Sequence, residues 1–251
     1  MVVRIIPLLG MPVIKKDDKI AELISMTAKN QGTQIQNGDI IIITHVVVSR
    51  VEGATVDLDS VEPSEFARNF ASDFSKDPAL VEVVLREAKS IIRMREGSLI
   101  TLTKHGFICA NSGVDKSNVP GDRNVALLPK DADESARRIR KEIRKITGKD
   151  VAVIVSDTHG RPLRDGEINI AIGIAGLAPI LDRRNEQDLF GYVLRTKRTA
   201  IADELTSAAE LVIGQANEAI PVAIIRGYPF EKSEEASVKD LLRPLEKEFF
   251  L

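Results

Sequence analysis

The stretch VAVIVSDTHGRPLRDG, Val151–Gly166, starts as an apolar run and then turns polar. Ser156, Asp157, Thr158 and His159 are followed by a glycine, a proline and two arginines, Arg161 and Arg164. A connecting turn needs only Gly, Pro or Asn. A carboxylate, a hydroxyl and two fixed positive charges at a strand's exit therefore point to chemistry, which loops at strand ends often carry. A second polar exit lies upstream in FICANSGVDKSNVPGD, where Asn111, Ser112, Asp115, Ser117 and Asn118 crowd together after Phe107–Ala110. The two segments offer two carboxylates and several neutral oxygens. Such an inventory suits a hard cation, Mg²⁺ or Mn²⁺, which takes oxygen ligands and also holds substrate phosphates. The plainer alternative is that Asp115 and Asp157 cap helices or stabilise turns. Spacing leaves both open.

Other chemistries find less support. His45, His105 and His159 are far apart and none belongs to an H-E-x-x-H motif, so each reads as packing or surface before it reads as a zinc ligand. His159 is the best of the three because of the loop it occupies. Cys109 is the single cysteine; it sits in a strand pattern and reads as a small buried apolar residue. No G-x-x-x-x-G-K-[ST] is present, and the glycines of IGIAGLAPILD do not form G-x-G-x-x-G; they read as sites of close packing. In VIGQANEAIP, Gly214 supplies backbone freedom while Gln215, Asn217 and Glu218 add polar groups between apolar segments. Arg50, in VVVSRVEG, follows an apolar run as Arg161 and Arg164 do, and guanidinium groups recognise phosphate or carboxylate bidentately. The collection points to an anionic, phosphorylated ligand.

These residues must be positioned by alternating strands and helices. Val2–Leu8, Asp39–Ser49, Ser98–Ala110, Val125–Leu128, Val151–Ser156, Ile168–Gly173 and Pro221–Arg226 read as strands. Asp18–Lys29, a turn opened by Pro63 with Phe66, Phe70 and Phe74 at helical spacing, Ala79–Met94, Ala136–Ile146 and Thr199–Val212 read as helices. Asp77-Pro78 and the Asp131/Glu134 pair supply start signals, and Gly214 a stop. Arg137, Arg138, Arg140, Lys141, Arg144 and Lys145 fall mainly on the wet face of a helix whose Ile139, Ile143 and Ile146 need burial. The expected fold is α/β (α+β), with mixed or antiparallel sheets and packed helices in two interwoven subdomains. Their boundaries are not legible within what reads as one domain over residues 1–251.

The 251 residues are 43% hydrophobic and 29% charged, with net charge −2. That balance argues against a dedicated nucleic-acid binder. No apolar run approaches a membrane span and no signal-peptide pattern follows Met1, so the expected location is the cytoplasm, with no membrane partner.

Seven pieces, in order, resemble one family: GMPVI, VVVSRVEG, ICANSGVDKSNV, LLPKDADESARRIR, VIVSDTHGRPLRDGEINIAIGIAGLAPI, DLFGYVLRTKRTAIADELTSAAELVIGQ and IPVAIIRG. The family is the coenzyme F420-0:L-glutamate (gamma-glutamyl) ligases, in their stand-alone form. The resemblance implies GTP-dependent amide formation. GTP would phosphorylate the terminal carboxylate of F420-0, L-glutamate would displace phosphate from the acyl phosphate, and a second glutamate would follow through a gamma linkage. It implies two divalent ions, Mg²⁺ or Mn²⁺, stimulation by K⁺, and a homodimer. By the family pattern Asp115 and Asp157 hold one metal and are the catalytic pair, while Thr158 and Gln215 help hold a second. Met11, Pro12, Val13, Ile14, Asn118 and the run Ile213, Gly214, Gln215, Ala216, Asn217, Glu218, Ala219 and Ile220 would line the GTP site. His45 and Val46 occupy a nucleotide-contacting pair that is more usually polar, and Arg50 stands where lysine is common. The residues alone also admit a metal-dependent phosphohydrolase, a ligase for another acceptor, or a non-catalytic nucleotide-binding module.

Overall fold

β-branched runs pair into one five-stranded sheet, and the polar segments that follow them are carried to one of its ends. In the computed structural model, which describes residues 1–247, the chain opens with β1 (Arg4–Pro7), α1 (Ile20–Asn30), β2 (Ile40–Thr44) and α2 (His45–Glu52). A smaller portion follows: β3 (Thr55–Asp57), α3 (Glu65–Phe74), α4 (Pro78–Glu87), β4 (Ala88–Arg95), β5 (Ser98–Thr103), β6 (Ile108–Ala110) and β7 (Asn124–Ala126). The chain returns through α5 (Ala132–Thr147), β8 (Ala152–Arg161), β9 (Arg164–Ala175), β10 (Leu181–Asp182), β11 (Arg198–Thr199), α6 (Ile201–Ile213) and β12 (Val222–Arg226).

The large sheet has the order β1-β12-β2-β8-β9, with β2 and β8 parallel and the other neighbours antiparallel. Ile40–Ile43 and Val153–Val155 are wholly buried, as strands covered on both faces must be. Ile24 of α1, Ile139 and Ile143 of α5, and Leu205 and Ala209 of α6 join them in one core. The smaller portion, contiguous in the chain, holds the antiparallel sheet β4-β5-β6 and the pair β3-β7 around two further apolar clusters. The mixed and antiparallel sheets with packed helices are those expected. Capping accounts for the helix starts. The Asp131 carboxylate accepts the Glu134 N–H at 2.8 Å, and Asp77 accepts the Ala79 N–H at 2.8 Å with Pro78 in the first turn of α4.

Several boundaries differ from expectation. Asp39–Ser49 is not one strand: β2 ends at Thr44 and His45–Ser49 are helical. Val47 and Val48 bury as fully from α2 as they would from a strand, so packing overrides β-propensity here. Gly53, at φ 69°, ends the helix in the left-handed region. Ala79–Met94 splits where Ala88–Arg95 finds β5 to pair with, and Ser98–Ala110 folds at Thr103–Phe107 into β5 and β6. Of the phenylalanine stripe, Phe70 is buried while Phe66 and Phe74 stay exposed beside it. The basic side chains of α5 face solvent except Arg140, which is bonded to Asp150, Glu234 and the Val151 carbonyl. The largest departure is at Ser156–Arg161. This segment does not leave the sheet; β8 runs on to Arg161, turns at Pro162-Leu163 and returns as β9.

Candidate functional site

Backbone register brings the candidate residues together. Thr44 lies opposite Ser156 in the parallel pair β2–β8, so the next residues, His45 and Asp157, emerge side by side. His45 Nε2 is 3.1 Å from Asp157 Oδ1. Thr158 lies opposite Asn169 in β8–β9, and their side chains meet at 2.8 Å. Pro7 lies opposite Ala223, and the Leu8 N–H donates to the Val222 carbonyl at 2.9 Å. The chain leaving β1 and the chain entering β12 therefore share one end of the sheet. The smaller portion supplies the last segment. Asp115 bridges Ala126, Ser49 Oγ donates to the Leu127 carbonyl at 2.6 Å, and the Arg50 guanidinium donates to the Asn118 carbonyl at 3.1 Å.

A single cleft collects these segments. Met11–Ile14, His45–Val46, Arg50, Asp115, Asn118, Asp157–Thr158, Ile213–Ala216 and Glu218–Ile220 all line it. Asn217, in the same loop, is not among the lining residues, and neither are Arg161 and Arg164. Those arginines pair with each other across the β8–β9 hairpin end, where Arg161 donates to the carbonyls of Asp165 and Gly166. Expecting them beside the two aspartates assumed a loop at Ser156–Arg161, and the continuing strand carries them away. Gly214, at φ +75°, lets the Glu218 carboxylate close over the backbone; a Cβ there would stand 2.2 Å from that group.

The electrostatics are those of a buried acid clamped by imidazoles. Burial pushes the Asp157 carboxyl upward, but the charge of His45 and hydrogen bonds from His159 and His45 outweigh it and hold the group well below the usual carboxylate range. Burial pulls His45 down, and the Asp157 carboxylate more than reverses it. Arg50 is lowered by burial, partly offset by Asp18. Asp115 is held by its own turn, accepting from the Ser117 N–H at 2.6 Å and from Ser117 Oγ at 3.0 Å.

The donor set tests the cation reading. Thr158 Oγ1 lies 2.8 Å from Asn169 Oδ1 and 3.1 Å from Gln215 Oε1, while Gln215 Nε2 donates to Asn169 Oδ1 at 3.1 Å. One hydroxyl carries one proton, so it serves one of these two amide oxygens and leaves the other oxygen facing oxygen. Such a cluster fits a hard cation. Among the described residues no group of three or more His, Cys, Asp or Glu is disposed to hold a metal. A cation here must therefore draw on hydroxyl and amide oxygens beside Asp115 and Asp157. Asn169, 3% exposed, is hidden when Ile168–Gly173 is read as a plain apolar strand. Its signal is a lone amide in the alternating run EINIAIG.

Cys109 lies under this site and does no chemistry in it. Burial, and then the Asp157 charge, push its thiol up to about 12, and the thiolate is the reactive form. The native protein should resist iodoacetamide at mildly alkaline pH, whereas the chain unfolded in guanidinium chloride takes one label, counted by mass spectrometry. Rapid labelling of the native protein would contradict this burial.

The F420-0:Gamma-glutamyl ligase family model matches residues 9–227. The chain is 46% identical over 242 residues to coenzyme F420:L-glutamate ligase of Methanothermobacter thermautotrophicus, covering 96% of each chain. It is 47% identical over 246 residues to the enzyme of the same name from Methanocaldococcus jannaschii, covering 96% of this chain and 94% of that one. The Archaeoglobus fulgidus protein of that name is 34% identical over 98% of this chain and 95% of its own.

Proposed function

The chain belongs to the F420-0:gamma-glutamyl ligase family, and from that premise we propose that it joins L-glutamate to coenzyme F420-0 at the expense of GTP. A second glutamate would then be joined through its amino group to the gamma carboxylate of the first. The observation that carries the nucleotide reading is the charge of the cleft. Asp115, Asp157 and Glu218 line it against the Arg50 guanidinium and the His45 imidazole, which Asp157 already engages. A nucleotide's phosphates enter such a place only with counter-cations, and oxygen donors that suit Mg²⁺ or Mn²⁺ are grouped there.

In this reading Asp115 and Asp157 hold one ion and Thr158 and Gln215 contribute to a second, with Asn169 Oδ1 added to their oxygens. The ions would supply positive charge against the β- and γ-phosphoryl oxygens. Potassium would stimulate the reaction, and the working form would be a homodimer. Met11–Ile14, Ile213–Ala216 and Glu218–Ile220 would form the walls for GTP, His45, Val46 and Asn118 its edge, and Arg50 a phosphate contact. A carboxylate is a poor electrophile at neutral pH. Its oxygen therefore first attacks the γ-phosphorus, releasing GDP and leaving an acyl phosphate. The glutamate nitrogen then attacks the acyl carbon, the C–O bond to phosphate breaks, and the amine proton is lost to solvent. Such transfer asks the protein for positioning and charge, not for a covalent nucleophile. Among the described residues no helix is long and apolar enough to cross a membrane. The place of action would be the cytoplasm.

The decisive assay mixes the protein with F420-0, L-glutamate, GTP and Mn²⁺ and follows the deazaflavin by mass spectrometry. Glutamylated product with an equivalent of GDP is expected. GTP hydrolysis at a rate indifferent to F420-0 and glutamate would instead make the protein a phosphohydrolase.

A further inference from the structure

A carboxylate ligand is only as useful as its orientation, and the Asp157 carboxylate is held from both sides. Its Oδ1 accepts from His45 Nε2 at 3.1 Å and from the Thr158 N–H at 2.7 Å. Its Oδ2 lies 3.1 Å from His159 Nε2. His159 is two residues further along β8, so it shares a face of the strand with Asp157. An ionised carboxylate only accepts, so the imidazole nitrogens carry the hydrogens. The His159 ring is itself fixed: it is 8% exposed and stands edge-on to Phe107, with centroids 6.3 Å apart and planes at 88°.

A carboxylate offers about four lone-pair sites, and these three donors leave one, on Oδ2 beside the His159 bond. Aspartate's terminal torsion is otherwise broad and roughly two-fold. Without His159, Oδ2 has no described partner and the group is anchored at Oδ1 alone. We propose that His159 is a positioning residue that fixes the Asp157 carboxylate so that one Oδ2 lone pair faces the cleft for a divalent cation. The inference rests on the reading of Asp157 as a cation ligand. His159 touches no reacting atom in this scheme; it acts through the carboxylate, as outer partners of metal ligands do.

Calorimetric titration with Mn²⁺ alone, on the parent, His159→Phe, His159→Gln and Asp157→Asn, tests it. Phenylalanine keeps a planar ring and removes the donor, so Mn²⁺ binding should weaken by about 10–100-fold. Glutamine presents an amide N–H in place of Nε2–H and should restore affinity close to the parent's. Melting temperatures are recorded alongside, and His159→Leu replaces the phenylalanine variant should that one fail to fold. If the parent and His159→Phe bind Mn²⁺ alike while Asp157→Asn does not, the positioning role falls and the ligand role stands. The positioning role falls likewise if phenylalanine and glutamine both lower the melting temperature and leave Mn²⁺ binding unchanged. If the parent binds no Mn²⁺, or Asp157→Asn binds as well as the parent, both roles fall together.

Discussion

Asp157→Asn should abolish glutamylation of F420-0, with a loss of about three orders of magnitude or more in turnover, while the protein stays folded. The size follows from what the substitution removes: a full negative charge at a buried position, where a charge acts far more strongly than in water. Asparagine keeps the shape and one acceptor oxygen, but its NH₂ must face an imidazole N–H where an oxygen stood. His45 and His159 both donate to that carboxylate now, so one imidazole must change tautomer or lose its partner. Leaving one buried donor unpaired costs about 1–3 kcal/mol. At roughly 2–4 °C per kcal/mol for a domain of this size, the melting temperature should drop by several degrees without loss of the native state. Product formation by mass spectrometry and calorimetric melting of the same sample separate the two effects. Activity within tenfold of the parent would remove Asp157 from the reaction.

Asp115→Ala is the useful companion, because Asp115 is built differently. Among the described residues its carboxylate accepts only from Ser117, within its own turn, so its removal strands no buried imidazole. A comparable loss of product with little change in melting would assign Asp115 to ligand binding alone. The contrast divides the site physically. Asp157 belongs to the sheet, and Asp115 to a segment that the smaller portion lays across α2.

Much of this site is legible in the residues, since chemistry-bearing side chains are conspicuous where a turn needs none of them. Asp115, Asp157, Thr158 and Gln215 do line one cleft. What is not legible is how they are carried. An apolar run followed by Ser-Asp-Thr-His looks like a strand ending, because the apolar pattern stops there. The strand nevertheless continues, since its backbone still finds partners in β9, Thr158 opposite Asn169 and His159 opposite Ile168. Backbone pairing needs no apolar side chain. That hidden continuation places His159 on the face of Asp157, and it removes Arg161 and Arg164 from the cleft. The opposite error occurs at THVVVSR, where β-branched residues read as strand but form α2. Register with Ser156 then puts His45 against the aspartate, a relation between residues more than a hundred positions apart that no local pattern contains.

Gly173→Ala should produce the largest loss of stability. Gly173 lies in β9 opposite Val155, and its φ is not left-handed, so space decides the matter and not backbone conformation. An added Cβ would stand 2.3 Å from the carbonyl carbon and oxygen of Ala132, the first residue of α5, and 2.6 Å from its Cβ. Neither side can yield easily. The neighbouring Asp133 accepts the Ile174 N–H at 2.7 Å and Ser237 Oγ at 2.6 Å, tying the helix start to the strand at the point of collision. Overpacking of this kind costs about 3 kcal/mol, equivalent to a melting temperature lower by roughly 6–12 °C. Gly160→Ala is the control: it lies in β8 with nothing within 4 Å of the added carbon and should melt within about 0.5 kcal/mol of the parent. Because Asn169 is carried by the same strand, a displaced β9 should also weaken Mn²⁺ binding in Gly173→Ala and leave it intact in Gly160→Ala. Equal melting of both variants would show that α5 can draw back from β9, and that the strand's place beside Thr158 is set by β8 alone.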